Sequence, residues 1–215
     1  MPIVAICGPD GVGKSTLTES LVAALSESRV VRVLYGGKKS NHRLLTTTIA
    51  LFVLEFIRRV PLLRRLARAY QTVVFQPLEY LENRARWSLA RRFSQAGDLV
   101  LFDRFVVDRM WRHMLSPEGK QLVRTNSGDH FFHWLYDRHF PWADAYLFLS
   151  PTPEVMFERA PGEYGSIEQA AAIRDAYEAI ADHLRRTGRT VHRLRFGRND
   201  PAAWLAETAI RELGI

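Results

Sequence analysis

Eight residues near the start, Gly8-Pro9-Asp10-Gly11-Val12-Gly13-Lys14-Ser15, bring together the groups that hold a chain of phosphates. Glycines let backbone N–H groups turn inward around anionic oxygens. A lysine carries positive charge to the β- and γ-phosphates, and a serine hydroxyl is a hard oxygen ligand for Mg²⁺. The spacing Gly-x-x-x-x-Gly-Lys-Ser is that of a phosphate-binding loop, and a fortuitous glycine turn is a poor competing reading in this context. Gly8, Asp10, Gly11, Val12, Gly13, Lys14, Ser15 and Thr16 form the expected ATP-binding set. A second signal is Asp103, which follows the apolar run Leu99-Val100-Leu101-Phe102. An NTPase places there the acid that acts on Mg²⁺ or its water shell. Ser15 and Asp103 are therefore the expected metal pair. Arg104 comes next, at the expected mouth of the site, and a surface salt bridge is its competing reading.

Such groups work only if the chain positions them. Ile3 to Cys7 is a short apolar, β-branched run, as a buried parallel strand should be. After the loop, Leu17, Leu21, Val22 and Leu25 share one helical face, and the helix start adds a positive dipole end. Further strands are expected at Val30–Leu34, Leu99–Phe102, Ala145–Leu149 and Thr190–Leu194. Helices are expected across 43–95 with breaks at Pro61 and Pro77, across 106–140 with interruptions, and over Thr152–Arg159, Ile167–Arg186 and Pro201–Leu213. Alternation of strands and helices predicts an α/β fold, a three-layer α/β/α P-loop NTPase with a parallel, five-stranded sheet. The ligand belongs at the carboxyl ends of the strands. No linker divides the sequence, so residues 1–215 read as a single domain.

Composition sets bounds. The chain has 215 residues, 47% of them apolar, enough for one ordinary globular core. Its one cysteine, Cys7, falls in the first strand and reads as a buried thiol, which suits a reducing compartment. The sequence shows no signal-peptide pattern, and its longest apolar stretch, Leu44–Ile57, is too short to span a bilayer and contains Glu55. A cytoplasmic enzyme without a membrane span is the expectation. The net charge is +7, and nine arginines cluster between Arg58 and Arg92 against Glu79 and Glu82. A solvated helix face, a polyanion pocket and a nucleic-acid or anionic-membrane surface compete for this cluster. Interleaving with Leu, Val and Ala favours amphipathic helices with a basic outer face, and no nucleic-acid partner is expected. His130, His133 and His139, with Asp129 and Asp137, read as ordinary helix residues rather than a metal site.

The loop Gly-Pro-Asp-Gly-Val-Gly-Lys-Ser-Thr-Leu, with Asp103-Arg104-Phe105 far downstream, resembles the thymidylate kinase group of P-loop nucleoside monophosphate kinases. The resemblance covers most of the chain. It implies that Asp10 faces the acceptor's sugar hydroxyl and that Arg104 touches the acceptor phosphate. Tyr80-Leu81-Glu82-Asn83-Arg84 is similar to the segment that stacks on and hydrogen-bonds the acceptor base, which implies those roles for Tyr80 and Arg84. Pro153 to Arg159, then Ile173-Arg174 to Tyr177, is similar to the lid and the helix after it, with a lid at about 159–166. Arg159, with Arg174 as a further candidate, would then neutralise the migrating phosphoryl group. The chain also departs from the group. Tyr35-Gly36-Gly37-Lys38-Lys39-Ser40 stands where an acidic-Pro-Gly-Gly-Thr segment is usual, and Lys39 or Lys38 there is a candidate acceptor-phosphate contact. Asp108 occupies the offset where a serine is usual, and the lid is poor in arginine.

These residues together predict an ATP- and Mg²⁺-dependent kinase of a small molecule. Lys14, Asp103, Arg104 and Arg159 are its expected catalytic set, and Asp10, Lys39, Tyr80, Arg84 and Arg104 its expected acceptor set. A nucleoside monophosphate is the first expected acceptor. A hydroxyl of a nucleoside, sugar or antibiotic-type metabolite is the alternative. A non-enzymatic nucleotide switch is a minor one, since no Asn-Lys-x-Asp or Asp-x-x-Gly signature occurs. Oligomeric state is open, with a homodimer compatible.

Overall fold

Runs of apolar, β-branched residues bounded by turn formers give the central strands, and all five strands found among the described residues pair in parallel. The structure is a computed structural model that describes residues 2–36, 45–60, 63–107, 134–136 and 138–215. The strands are β1 (Ile3–Cys7), β2 (Val31–Tyr35), β3 (Leu99–Asp103), β4 (Ala145–Pro151) and β5 (Thr190–Phe196). Their order in the sheet is β2-β3-β1-β4-β5. β1 and β3 are buried along their whole length, which is why they read as uninterrupted apolar runs. β2 is an edge strand that leaves Arg32 and Val33 exposed. Arg32 is held there by Asp98 at 2.9 Å and lies over the Phe93 ring.

The helices are α1 (Lys14–Leu25), α2 (Leu45–Arg59), α3 (Arg64–Tyr70), α4 (Gln76–Gln95), α5 (Pro153–Arg159), α6 (Ile167–Arg186) and α7 (Ala202–Leu213). The five-stranded parallel sheet with its flanking helices is the expected α/β fold. The register puts Ile6 of β1 beside Asp103 of β3, so the end of β3 meets the loop leaving β1. The chain forms two compact units. One holds residues 1–37, 90–124 and 142–215, including every strand; the other holds residues 38–89 and 125–141. No described helix is long and apolar enough to cross a membrane.

Two expectations change in the second unit. Pro77 does not break the helix. The chain runs from α3 through a π-helical turn, Gln71–Phe75, directly into α4, with Pro77 in the first turn of α4. A proline lacks an N–H and its ring crowds the carbonyl four residues back, here Val73. A wider turn at that place accommodates both defects. The basic outer face also fails for α2. Its core face is Thr47, Ala50 and Leu54, packed near Ala67 and Phe75, while its outward residues include Ile49, Phe52 and Phe56. The arginines sit at its end, Arg58 and Arg59, because they fall together in sequence rather than at helical spacing. The expected helices over 106–140 fall mostly outside the described residues, with residues 134–136 and 138–139 helical.

Candidate functional site

The glycine loop, residues 8–13, joins the end of the buried strand β1 to the start of α1. Gly13 caps the helix in a left-handed conformation, φ 91°, which an L side chain rarely adopts. Lys14 is then the first helical residue. Its ammonium donates to the carbonyls of Gly8 at 2.6 Å and Pro9 at 2.5 Å and lies 3.8 Å from the Asp10 carboxylate. Lys14 is thus buried, at 5% exposure, and not solvent-facing as a phosphate-seeking side chain suggests at first sight. A charge taken from water needs partners, and the loop's own carbonyls supply them.

Ser15 Oγ donates to Asp103 Oδ2 at 2.8 Å. The other carboxylate oxygen, Oδ1, is buried and has no hydrogen-bond partner among the described atoms. A hydroxyl and a carboxylate with an unsatisfied oxygen form a hard donor pair. That pair fits Mg²⁺, which takes one or two protein oxygens and fills its remaining positions with water and phosphate. Among the described residues no group of three His, Cys, Asp or Glu side chains could hold a metal on its own. His130, His133, Asp129 and Asp137 lie outside the described residues, and His139 stacks edge-on against Trp134.

Arg104 follows Asp103 with φ 68°, the one non-glycine residue at positive φ among those described. Such strain costs on the order of 1–3 kcal/mol and persists where the surroundings enforce it. The residue just past β2 makes room for it. Gly36 N–H donates to the Asp103 carbonyl at 3.0 Å, and a Cβ on Gly36 would stand 2.0 Å from the Arg104 carbonyl oxygen. The Gly36-Gly37 pair reads from sequence as a turn, yet Gly36 serves close backbone approach. The twist turns the Arg104 guanidinium onto Asp10, with Nη1 2.6 Å from Oδ1. Asp10 thus lies between two cations, Arg104 and Lys14.

The expected lid packs on this loop. A Cβ added to Gly11 would stand 2.4 Å from Ala160 Cβ. Tyr164, only 3% exposed, donates its hydroxyl to the Asp10 carbonyl at 2.5 Å. Burial above all, then the negative charges of Asp10 and Glu163, push the Tyr164 phenol well above its ordinary range, so it remains a donor at every physiological pH. Tyr164 carries no motif in the sequence, and its partner, the Asp10 carbonyl, lies 154 positions away.

Arg159, at the end of α5, lies over the Phe196 ring at 5.7 Å and reaches to the Gly13 side of the loop. It lines a cavity of about 360 Å³ with Gly11, Val12, Gly13, Thr16 and Leu17 on one flank and Asp200, Ala202 and Leu205 on the other. The second flank comes from the turn after β5 and the start of α7, where Gly197 N–H donates to Asp200 Oδ2 at 2.7 Å. This flank was missed from sequence. Its signal was the turn Gly197-Arg198-Asn199-Asp200-Pro201 at a strand's carboxyl end. Arg174 does not join Arg159 in this cavity. It pairs with Asp175 at 2.8 Å, in a neighbouring groove lined by Ser150, Glu178 and Arg193 that meets the cavity at Asp200.

The first unit therefore brings together Asp10, Lys14, Ser15, Asp103, Arg104 and Arg159. Tyr80 and Arg84 belong to the second unit, and Lys39 lies outside the described residues. Tyr80 packs edge-on against Tyr136 at 5.2 Å and Phe140 at 5.9 Å, while Arg84 is exposed. The buried polar side chains of α4 are others. Arg86 pairs with Glu82 and donates to Asn83 Oδ1 at 3.3 Å, and Asn83 donates to the Tyr136 hydroxyl at 2.9 Å.

No family model and no curated sequence matches the chain. Solved structures do. A deoxyadenosine kinase from M. mycoides with the products dCMP and dCDP bound superposes with a TM-score of 0.57 at 12% identity, covering 98% of each chain. The same enzyme with bound dATP gives 0.58 at 12% identity, with all of both chains covered. At that identity the shared property is the fold, a P-loop sheet with its flanking helices.

Proposed function

We propose that the chain is an ATP- and Mg²⁺-dependent kinase acting on a nucleoside-type small molecule. One observation carries the reading. Lys14, Ser15 and the half-satisfied Asp103 converge at the glycine loop of a parallel sheet. Phosphoryl transfer asks a protein for positioning and charge neutralisation more than for covalent chemistry. Backbone N–H groups of residues 10–16 and the Lys14 ammonium hold the donor phosphates. Ser15 and Asp103 hold the metal, which when bound offsets phosphate charge. The cavity takes the donor base between Val12, Thr16 and Leu17 on one side and Ala202 and Leu205 on the other. Tyr164 clamps the Asp10 carbonyl and keeps the loop in its phosphate-binding form. Both units are read as parts of one kinase domain, working in the cytoplasm.

Arg159→Ala is expected to lower kcat much more than it weakens ATP binding, because its charge is needed most as the phosphoryl group moves. Single-turnover rates and a Kd for ATP separate the two. Equal losses would assign Arg159 to ground-state binding of the base.

For the acceptor, the first reading is a nucleoside monophosphate, with Arg104 and Lys39 on its phosphate, Asp10 toward its sugar, and Tyr80 and Arg84 on its base. Arg104 held beside Asp10 at 2.6 Å supports it. A nucleoside hydroxyl is the second reading, favoured by the likeness to a deoxyadenosine kinase. Titrating dTMP, dUMP, CMP and the free nucleosides against ATP-bound protein decides between them. On the first reading Arg84→Ala weakens the best nucleotide by about 1–3 kcal/mol, the cost of a lost charge-assisted hydrogen bond. Transfer to free nucleosides with silence from every nucleotide promotes the second, and transfer only to a sugar or antibiotic-type hydroxyl removes both.

A further inference from the structure

The second unit shows a helix with two apolar faces. The inner face of α2, Thr47, Ala50 and Leu54, covers that unit's core. On the opposite side Ile49, Phe52 and Phe56, with Val60 just past the helix end, recur at intervals of three and four residues. They are 55, 73, 63 and 36% exposed. A surface helix ordinarily turns polar residues outward, so a second apolar stripe marks a surface that meets something.

Charge says what. Residues 38–75 hold eight of the chain's 30 Lys and Arg and one, Glu55, of its 23 Asp and Glu. This one segment carries the entire net charge of +7, and the rest of the chain is neutral. At the end of α2, Arg58 and Arg59 are exposed, with Arg58 steadied by donating to Gln71 Oε1 at 2.6 Å. A stripe of Phe and Ile with exposed arginines at one end is the pattern of a helix that lies in a lipid interface. The rings enter the acyl boundary and the guanidinium groups meet headgroup phosphates. No described helix is apolar enough to span the bilayer, so the contact is peripheral.

We propose that the outward face of α2 docks the protein onto an anionic membrane surface. The inference does not rest on the kinase reading. Flotation of the intact protein with vesicles tests it, using phosphatidylcholine alone and an equimolar mixture with phosphatidylglycerol. The wild type is expected to float with the mixed vesicles, to remain behind with phosphatidylcholine alone, and to be released by high salt. Phe52→Gln with Phe56→Gln should reduce binding at least about tenfold, since the two rings supply most of the buried apolar area. Arg58→Gln with Arg59→Gln should weaken it and flatten its salt dependence. All four side chains are exposed, so melting curves should match the wild type and show that each variant folds. Absence of binding to the mixed vesicles at low salt, or equal binding to neutral ones, overturns the proposal. So does a dimer in analytical ultracentrifugation that the phenylalanine pair dissolves, if vesicles are ignored; that result gives the stripe to a second copy.

Discussion

Lys14→Ala is expected to cut turnover by about a thousandfold or more, because one preorganised charge on a transferring phosphate is worth several kcal/mol. The measurement is steady-state phosphoryl transfer with the acceptor found by screening. The apo arrangement adds a second expectation. Lys14 already serves the carbonyls of Gly8 and Pro9, so the variant leaves two acceptors without their donor. Groups that water cannot reach cost about 1–3 kcal/mol when unpaired, so the variant should melt somewhat lower while remaining folded at assay temperature. Circular dichroism separates the two effects. A folded variant with turnover within tenfold of the wild type would remove Lys14 from the donor site and, with it, the kinase reading. Lys14→Arg sharpens the test. It keeps the charge but replaces a compact ammonium with a broad planar fork in a cleft closed by two carbonyls, so little activity should return.

The parts of this site that were legible in the sequence are those fixed by local chemistry. β1, β3 and β4 read as strands because each is buried on both faces and so cannot tolerate a polar alternation. The phosphate loop reads because Gly13 must hold a left-handed turn directly before Lys14. Asp103 reads because an acid closing an apolar strand is out of place unless something needs it. What remained hidden depends on neighbours distant in sequence. The Arg104 carbonyl, at a residue with φ 68°, has room only because Gly36, just past β2 and 68 positions earlier, has no side chain. Tyr164 reaches back to the carbonyl of Asp10 across 154 positions. The Asp200–Leu205 flank of the cavity joins the loop only once β5 has been laid beside β4. On α2 periodicity itself was ambiguous, since apolar residues at both faces satisfy a helix pattern without telling which face is the core.

Asp103→Asn should separate activity from stability. The substitution keeps shape and keeps an oxygen to accept from Ser15, but it removes the negative charge at the proposed metal position. Turnover is expected to fall by about a hundredfold to a thousandfold, the range for losing one preorganised electrostatic partner of the reacting phosphates. The Mg²⁺ concentration for half-maximal rate should rise at least about tenfold, because a carboxylate ligand has become a neutral amide. Stability should move the other way or not at all. In the apo protein Asp103 is a buried carboxylate, 5% exposed, with one oxygen paired only to a serine hydroxyl and the other unpaired. A charge held with so little compensation is a cost of function, so neutralising it should leave the apo melting temperature unchanged or higher. Added Mg·ATP should raise the wild-type melting temperature as mass action requires, and raise the variant's far less. Activity within a few fold of wild type at an unchanged Mg²⁺ requirement would remove Asp103 from the metal site. A fall of several degrees in apo stability, with the Mg²⁺ dependence intact, would make its role the anchoring of Ser15 and the loop, and would leave the metal to residues outside this pair.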